Sequence, residues 1–141
     1  MNIKAVIDTN VLVSAFLTKN LDSPTYRVAV AILDDKFTPV YSLGMLDEYA
    51  DVLGRDYLKL PPSRVDELLM HIKLFGKEVV PTDSGEIFPD PDDKVFFCTA
   101  LAGASNLVTG NMRHYPKADF VVTPRAVLRT RRNLKNFSIP P

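Results

Sequence analysis

The sequence predicts an α/β fold built on a parallel sheet. Short apolar runs, each long enough for one strand, alternate with segments whose apolar residues recur at helical spacing. The first run, Ile3 to Ile7, is apolar almost throughout, which is typical of a strand buried on both faces of a parallel sheet. Strands separated by helices favour βαβ units with right-handed crossovers.

Taken in order, the chain offers five strand segments and six helical ones. The predicted strands are 3–7, 37–42, 78–80, 106–109 and 119–122. The predicted helices are 11–17, 24–34, 43–53, 63–75, 91–102 and one that begins at 124. Pro24 occupies a favoured first-turn position, and Gly54 and Gly76 stand where the third and fourth helices should stop.

Length and composition indicate one globular domain spanning residues 1–141. The chain is 46% hydrophobic and 24% charged, and no apolar run approaches the length of a membrane span. No basic-then-apolar signal segment precedes the first strand. The single cysteine, Cys98, cannot form an internal disulfide, so we expect a reducing, cytoplasmic environment.

The net charge is zero, but its distribution is uneven. Residues 1–110 hold ten Lys and Arg against sixteen acids (10 − 16 = −6), whereas residues 111–141 hold seven against one (7 − 1 = +6). Such asymmetry is consistent either with a polyanionic partner or with an ordinary solvated helix. We predict residues 132–141 as a flexible basic tail.

Polar residues follow the first strand directly, in the stretch Asp8-Thr9-Asn10. In open α/β sheets, the carboxyl ends of the strands face the crevice where ligands bind. Asp8 could therefore hold a metal ion there. The alternative is that Asp8 only caps the next helix, since Asp, Thr and Asn all serve as N-caps.

Two further acids, Glu48 and Asp93, are candidate site residues. Glu48 lies at the border of the apolar face of helix 43–53, where a carboxylate is costly unless it binds a proton or a cation, or extends to the rim. Asp90 reads as an N-cap before Pro91, which places Asp93 in the first turn of a helix that is apolar nearly all round. Asp92 is better placed on the surface.

A second strand end carries polar residues, in Thr109-Gly110-Asn111. If this strand neighbours the first, its side chains share the crevice with Asp8. Mg²⁺ prefers oxygen ligands, usually a few carboxylates with waters and substrate phosphates, and can hydrolyse phosphodiesters. Acids at 8, 48 and 93 with a polar group at 111 could form such a cluster.

Taken together, these motifs resemble those of PIN domains, and most closely those of VapC-like toxins of bacteria and archaea. The resemblance runs in order from about Ile3 to Leu128. It rests on Val-Ile-Asp8-Thr-Asn10-Val-Leu-Val-Ser14, Ser42…Leu46-Asp-Glu48…Val52-Leu53, Asp90-Pro-Asp-Asp93…Phe96 and Leu107-Val-Thr-Gly-Asn111.

The resemblance implies a three-layer α/β/α fold with a five-stranded parallel sheet of order 3-2-1-4-5. It also implies a Mg²⁺- or Mn²⁺-dependent endoribonuclease that uses metal-activated water. A small protein antitoxin and a homodimer are implied as partners.

Carried over by position, the resemblance makes Asp8, Glu48 and Asp93 the metal ligands. The supporting positions are Asn10, Ser14, Thr109 and Asp90. Asp93 is preferred over its neighbouring acids because Phe96 matches the apolar residue three places after the family's acid.

Asn111 departs from the resemblance, because the family commonly has an acid there. An amide oxygen can still bind Mg²⁺ or hold a ligand water, so Asn111 stays a catalytic candidate. Having one negative charge fewer, it should weaken metal binding. If activity has decayed with that acid, the chain would be an RNA- or partner-binding module.

Basic residues after the site fit an RNA substrate. Arg113, Lys117, Arg125 and Arg129 could contact phosphates without regard to sequence. His114 lies among them, and we expect it to have a surface or packing role.

A further alternative is a phosphotransferase of haloacid-dehalogenase type, in which an Asp after the first strand is the nucleophile. That class requires Asp-x-Asp, whereas this chain has Asp8-Thr9-Asn10. The metal-dependent ribonuclease is therefore the leading hypothesis.

Overall fold

The computed structural model describes the backbone of residues 3–136 and the side chains up to residue 130. Five parallel strands form one sheet in the order β3-β2-β1-β4-β5, as predicted. They are β1 (Ile3–Ile7), β2 (Phe37–Tyr41), β3 (Lys77–Glu78), β4 (Asn106–Val108) and β5 (Val121–Val122).

Six α-helices connect and flank these strands. They are α1 (Thr9–Leu17), α2 (Pro24–Leu33), α3 (Leu43–Leu53), α4 (Pro62–Phe75), α5 (Pro91–Gly103) and α6 (Pro124–Asn136). Two 3₁₀ turns, Asp56–Leu58 and Met112–His114, complete the described elements. The predicted helices are confirmed to within two residues at either end where a bound was given.

The sheet departs from prediction mainly at its edge. Strand β3 pairs Lys77 with Val40 and Glu78 with Tyr41, so it lies one residue earlier than predicted and is shorter. Val79 adds only a backbone hydrogen bond to the Tyr41 carbonyl, at 2.8 Å. An edge strand pairs with a neighbour on one side only. Its sequence therefore shows little of the apolar pattern by which strands are identified.

The centre of the sheet brings the ends of β1 and β4 side by side. Ile7 pairs with Val108, and the backbone N–H of Asp8 extends the ladder by donating to the Val108 carbonyl at 2.9 Å. The chain leaves β1 toward β2 and returns later to β4 on the other side. This is the topological switch point at which α/β sheets bind ligands.

The helices cover both faces of the sheet. Helices α2 and α4 pack on β2, α6 packs on α2, and α5 contacts β1, β2 and β4. The crossover from β3 to β4 runs back across the sheet, so right-handed connections place α5 on the face opposite α2 and α4. The core between these layers is buried, with Val6, Leu12, Ile32 and Met45 fully enclosed.

Helices α3 and α5 are joined inside the core by two hydroxyl groups. Ser42, which precedes α3, has its Oγ 2.9 Å from Oγ1 of Thr99 on α5. Ser42 occupies the N-cap position, but its side chain makes no capping hydrogen bond. Its hydroxyl instead helps to hold together the two helices that carry Glu48 and Asp93.

Two predictions concern the ends and surroundings of the domain. Helix α6 runs through the first part of the segment 132–141 that we predict as a basic tail, and residues 137–141 lie outside the described part of the chain. The tail therefore stays a prediction. Within the described residues, no helix is both long and apolar enough to cross a membrane.

Candidate active site

Asp8 lies between β1 and α1 and is almost completely buried, with 5% of its surface exposed. It caps α1, because its Oδ1 accepts a hydrogen bond of 3.4 Å from the backbone N–H of Asn10. Its Oδ2 accepts from the Thr109 hydroxyl at 2.7 Å and from the Tyr115 hydroxyl at 3.2 Å. Capping and site formation, posed as alternatives from the sequence, are therefore compatible in one residue.

Thr109 and Asn111 come from the neighbouring strand end. Thr109 is buried, and its hydroxyl oxygen accepts a hydrogen bond of 3.0 Å from the backbone N–H of Asn111 while donating to Asp8. This short chain of bonds links β4 to the Asp8 carboxylate, so Thr109 lies where the sequence predicts a supporting group. Asn111 itself is exposed, and its side chain does not line the cleft that contains Asp8.

Glu48 approaches the same cleft from α3. It is half-buried, whereas Asp47 and Asp51 of the same helix are exposed. Burial raises the pKa of Glu48, and the charges of Asp92 and Asp51 raise it further. The carboxylate is therefore held where its own charge is unfavourable.

Asp93 enters from the first turn of α5. Asp90 is the N-cap, its carboxylate accepting from the Asp92 backbone N–H at 2.9 Å, and Pro91 opens the helix as predicted. Only 18% of the Asp93 side chain is exposed. Burial first, and then the charges of Asp8 and Asp90, raise the pKa of Asp93 to about 6.

These side chains line one cleft of about 280 Å³ at the carboxyl ends of the strands. Asp8, Glu48 and Asp93 are joined there by Asp90 and Asp92. Three separate elements therefore present acids to a common space. Negative charge concentrated in this way favours the binding of a proton or a cation.

The cleft fits a hard divalent cation by its donor chemistry. Its acidic groups offer only oxygen ligands, which suits Mg²⁺ or Mn²⁺. The Thr9 hydroxyl, buried beside Asp8, has no hydrogen-bond partner among the described residues and leaves a polar atom for a bound species. Even so, among residues 3–130, no three His, Cys, Asp or Glu side chains converge closely enough to form a ready metal cluster.

Several predicted residues lie away from the cleft or only at its edge. Ser14 faces α2, where its hydroxyl lies 2.9 Å from that of Thr25. Asn10 is exposed but does line the cleft. The basic candidates are exposed on the 3₁₀ turn after β4, the following loop and α6, and none of them lines the cleft: Arg113, Lys117, Arg125 and Arg129.

Sequence reasoning did not find Tyr115 as a site residue. It is buried, and its hydroxyl reaches Asp8 from the segment after the 3₁₀ turn at 112–114. Burial and the Asp8 charge raise its pKa, so the hydroxyl keeps its proton and can donate it. A loop tyrosine seven residues beyond a strand has no periodicity to reveal it, and only its aromatic character among polar neighbours was a signal.

Four more residues near the cleft carried no predicted role in it. His114 is more than a surface residue, because its Nδ1 lies 3.6 Å from Asp93 Oδ2. Arg55 and Tyr57, which follow α3, line the cleft wall. Tyr49 donates to the carbonyl of Ile7, the residue before Asp8, and so supports the strand end from α3.

Comparison with known proteins agrees with this geometry. No curated protein matches the chain. The family model described as the PIN domain matches residues 4–113, a range that begins within β1, extends past β4 and contains all three acids and Asn111. The VapC-like subtype suggested by the sequence is a finer assignment than this match supports. With more than half of the chain matched, and with the sheet order and acidic cleft described above, this protein belongs to the PIN domain family.

Proposed function

We propose that this PIN domain is a Mg²⁺- or Mn²⁺-dependent endoribonuclease that hydrolyses RNA phosphodiester bonds. PIN domains are generally nucleases, which supports the reaction class. The observation that carries the proposal is the convergence of Asp8, Glu48 and Asp93, from three different elements, on one cleft at the switch point of the sheet. RNA as the substrate and the metal requirement are our proposals.

In this proposal Asp8, Glu48 and Asp93 hold the divalent ion. When bound, the ion would activate water as the nucleophile and offset the charge of the phosphodiester. Binding of a cation would also relieve the repulsion that raises the pKa of Asp93. Burial of Asp8 lowers the local dielectric constant and so strengthens its attraction to a cation.

The protein's own residues determine how Asp8 is presented. Thr109 and Tyr115 both donate to Oδ2, which leaves Oδ1 with only the long contact to the Asn10 N–H. Oδ1 is therefore the oxygen with lone pairs to spare. The two hydroxyl donors fix the plane of the carboxylate before a ligand binds. Residues that hydrogen-bond to a metal ligand commonly have this role.

A second candidate function is an RNA- or partner-binding module with little or no catalysis. Two observations favour it: Asn111 replaces the usual acid, and its exposed side chain does not line the cleft. Cleavage that depends on both the metal and Asp8 distinguishes the nuclease from this alternative.

We also propose that the protein acts in the cytoplasm as the toxin of a toxin–antitoxin pair, as a homodimer held inactive by a small protein antitoxin. The support is the resemblance of its motifs to VapC-like toxins. Light scattering of the purified chain tests the dimer. Growth arrest on induced expression, absent in Asp8→Asn, tests the toxin role.

The nuclease proposal is tested with a mixed RNA panel incubated with purified protein and Mg²⁺, Mn²⁺ or chelator. We expect cleavage with either metal, none with chelator, and none with Asp8→Asn. Asn111→Asp should cleave faster if position 111 assists metal binding. Should the wild type cleave nothing while Asn111→Asp does, the binding module becomes the better account.

A further inference from the structure

One stretch of the cleft wall is not acidic. After α3 ends at Leu53, the chain turns through Arg55, Tyr57 and Leu58, all of which line the same cleft as the acids. Arg55 therefore lies on the same cleft wall as Glu48 and Val52 of α3.

Tyr57 is an aromatic side chain that faces water on an ordered backbone. Its surface is 71% exposed, yet it lies within the 3₁₀ turn at 56–58, where the Leu58 N–H donates to the Arg55 carbonyl at 3.1 Å. Lys59 then takes a left-handed conformation, with φ of 53°, that ends the turn. An ordered turn therefore carries a ring that is largely exposed to solvent.

Arg55 supplies positive charge beside this ring. Arg55 is the only Lys or Arg among the described residues that line the cleft. It lies close enough to Glu48 for its positive charge to lower the pKa of that carboxyl, against the larger effect of burial. One of its guanidinium nitrogens, Nη2, lies 3.0 Å from Asp51 Oδ2, an ion pair on the exposed side of α3. This pair, together with a hydrogen bond to the Tyr57 side chain, orients the guanidinium, whose remaining N–H groups can donate to a phosphate.

We propose that Arg55 and Tyr57 form a subsite for an unpaired RNA nucleotide next to the one that is cleaved. The Tyr57 ring stacks on the base, and the Arg55 guanidinium contacts its phosphate. Every base has a flat face, so aromatic stacking holds single strands with little regard to sequence. This inference rests on the proposed function, because the cleft must bind RNA for the subsite to matter.

The subsite has a consequence for substrate choice. A base in a duplex already stacks on its neighbours, so it is not available to Tyr57 without unpairing. The protein should therefore prefer RNA in which the nucleotide beside the cleavage position is unpaired. Binding to a duplex should be insensitive to Tyr57.

The test measures binding of a fluorescent single-stranded RNA with chelator present, so that no cleavage occurs. Tyr57→Ala should weaken binding roughly tenfold, the usual cost of one lost base stack, while Tyr57→Phe retains wild-type affinity. The matched control is Phe75→Ala, which removes another exposed aromatic ring from α4, outside the cleft. A duplex of the same sequence should bind wild type and Tyr57→Ala equally.

In cleavage assays with metal, Tyr57→Ala should raise KM and leave kcat largely unchanged, as expected for binding that is equal in the ground and transition states. Equal single-strand binding by wild type and Tyr57→Ala overturns the subsite and leaves the nuclease proposal intact. If the wild type neither binds nor cleaves RNA, both proposals are wrong. If Tyr57→Phe falls with Tyr57→Ala, the hydroxyl rather than stacking is responsible, and the subsite as proposed is also overturned.

Discussion

At the scale of single residues, the two oxygens of Asp8 have different surroundings. Oδ2 accepts from two hydroxyls within the buried core, whereas Oδ1 has only the 3.4 Å contact with the Asn10 N–H. Because a carboxylate is rigid and planar, hydrogen bonds to one of its oxygens also fix the position of the other. Removing one of the hydroxyls should therefore affect ligand binding at Oδ1 without a direct contact to the ligand.

Tyr115→Phe tests this directly. We expect Mn²⁺ to bind at least about tenfold more weakly, because partners behind a metal ligand commonly contribute 10- to 100-fold to affinity. Calorimetric titration measures the change. Tyr49→Phe is the matched control, since it also removes a buried tyrosine hydroxyl, one that bonds the Ile7 carbonyl instead of Asp8. Equal Mn²⁺ affinity in Tyr115→Phe and wild type would assign Tyr115 to packing alone.

Asp93 should make the metal-free protein less stable as the pH rises. Burial and the Asp8 charge raise its folded-state pKa from 3.8 to about 6, so the folded protein favours the protonated form. The stability that this group contributes is complete below about pH 4 and is lost as the pH rises through about 6.

Asp93→Asn should remove this loss of stability at higher pH. In chelator at pH 7.5 its free energy of unfolding should exceed that of wild type by at most about 3 kcal/mol, the equivalent of two pKa units. The difference should vanish near pH 4 in thermal melts. Asp47→Asn, a change at an exposed acid of α3, should not show this pH dependence. If Asp93→Asn is no more stable than wild type at pH 7.5, solvent around the Asp93 carboxylate offsets the energetic cost of burying its charge.

Sequence reasoning identified the residues on regular elements better than those in loops. Asp8 and Thr109 follow strands that proved to be neighbours. Helical spacing placed Glu48 at the border of an apolar face, and the Asp90-Pro91 helix start placed Asp93 in the first turn of α5. Ser14 was assigned from the resemblance alone, and its helix turns it toward Thr25. Tyr115, which reaches Asp8, and Tyr57, which lines the cleft, lie in or after short turns whose paths leave no repeat in the sequence.

At the scale of elements, the cleft depends on how closely α5 packs on the sheet. Gly103, the last residue of α5, faces β2, and a methyl group added there would lie 2.6 Å from Cγ1 of Val40. Helix boundaries were predictable from Pro and Gly, but this close approach was not, since it depends on the pairing of distant segments.

Gly103→Ala should therefore destabilise the protein by about 1–3 kcal/mol, the usual cost of overpacking a core. Urea denaturation measures the loss. Gly110→Ala is the control, because a methyl group there would meet nothing within 4 Å. Combining Gly103→Ala with Val40→Ala should cost less than the sum of the two changes, since the second makes room for the first. Strict additivity would place the helix and strand farther apart than described.

At the scale of the whole molecule, charge is divided between an acidic cleft and a basic C-terminal part. None of the basic candidates with described side chains lines the cleft (Arg113, Lys117, Arg125 and Arg129). In the proposed function they would therefore contact RNA phosphates outside it. Arg125 and Arg129 are both exposed on α6, four residues apart and so on one face.

Replacing both Arg125 and Arg129 by Ala should weaken RNA binding and reduce its dependence on salt. Each phosphate contact that is lost should lower the slope of log K against log salt by about 0.7 for a single strand. Fluorescence anisotropy across a salt series in chelator gives the slope. Arg64→Ala with Lys73→Ala, a pair of exposed cations on α4, serves as the control. An unchanged slope in the α6 pair would remove α6 from the RNA path.

We propose that Asp8, Glu48 and Asp93 together bind the divalent ion of the nuclease. Mn²⁺ titration followed by electron paramagnetic resonance tests it without requiring a known RNA. We predict saturable binding by wild type and by Asp47→Asn, and a loss of at least about tenfold in affinity in each of Asp8→Asn, Glu48→Gln and Asp93→Asn. If the wild type binds no Mn²⁺, or if all three substitutions leave its affinity unchanged, these three acids do not form a metal site.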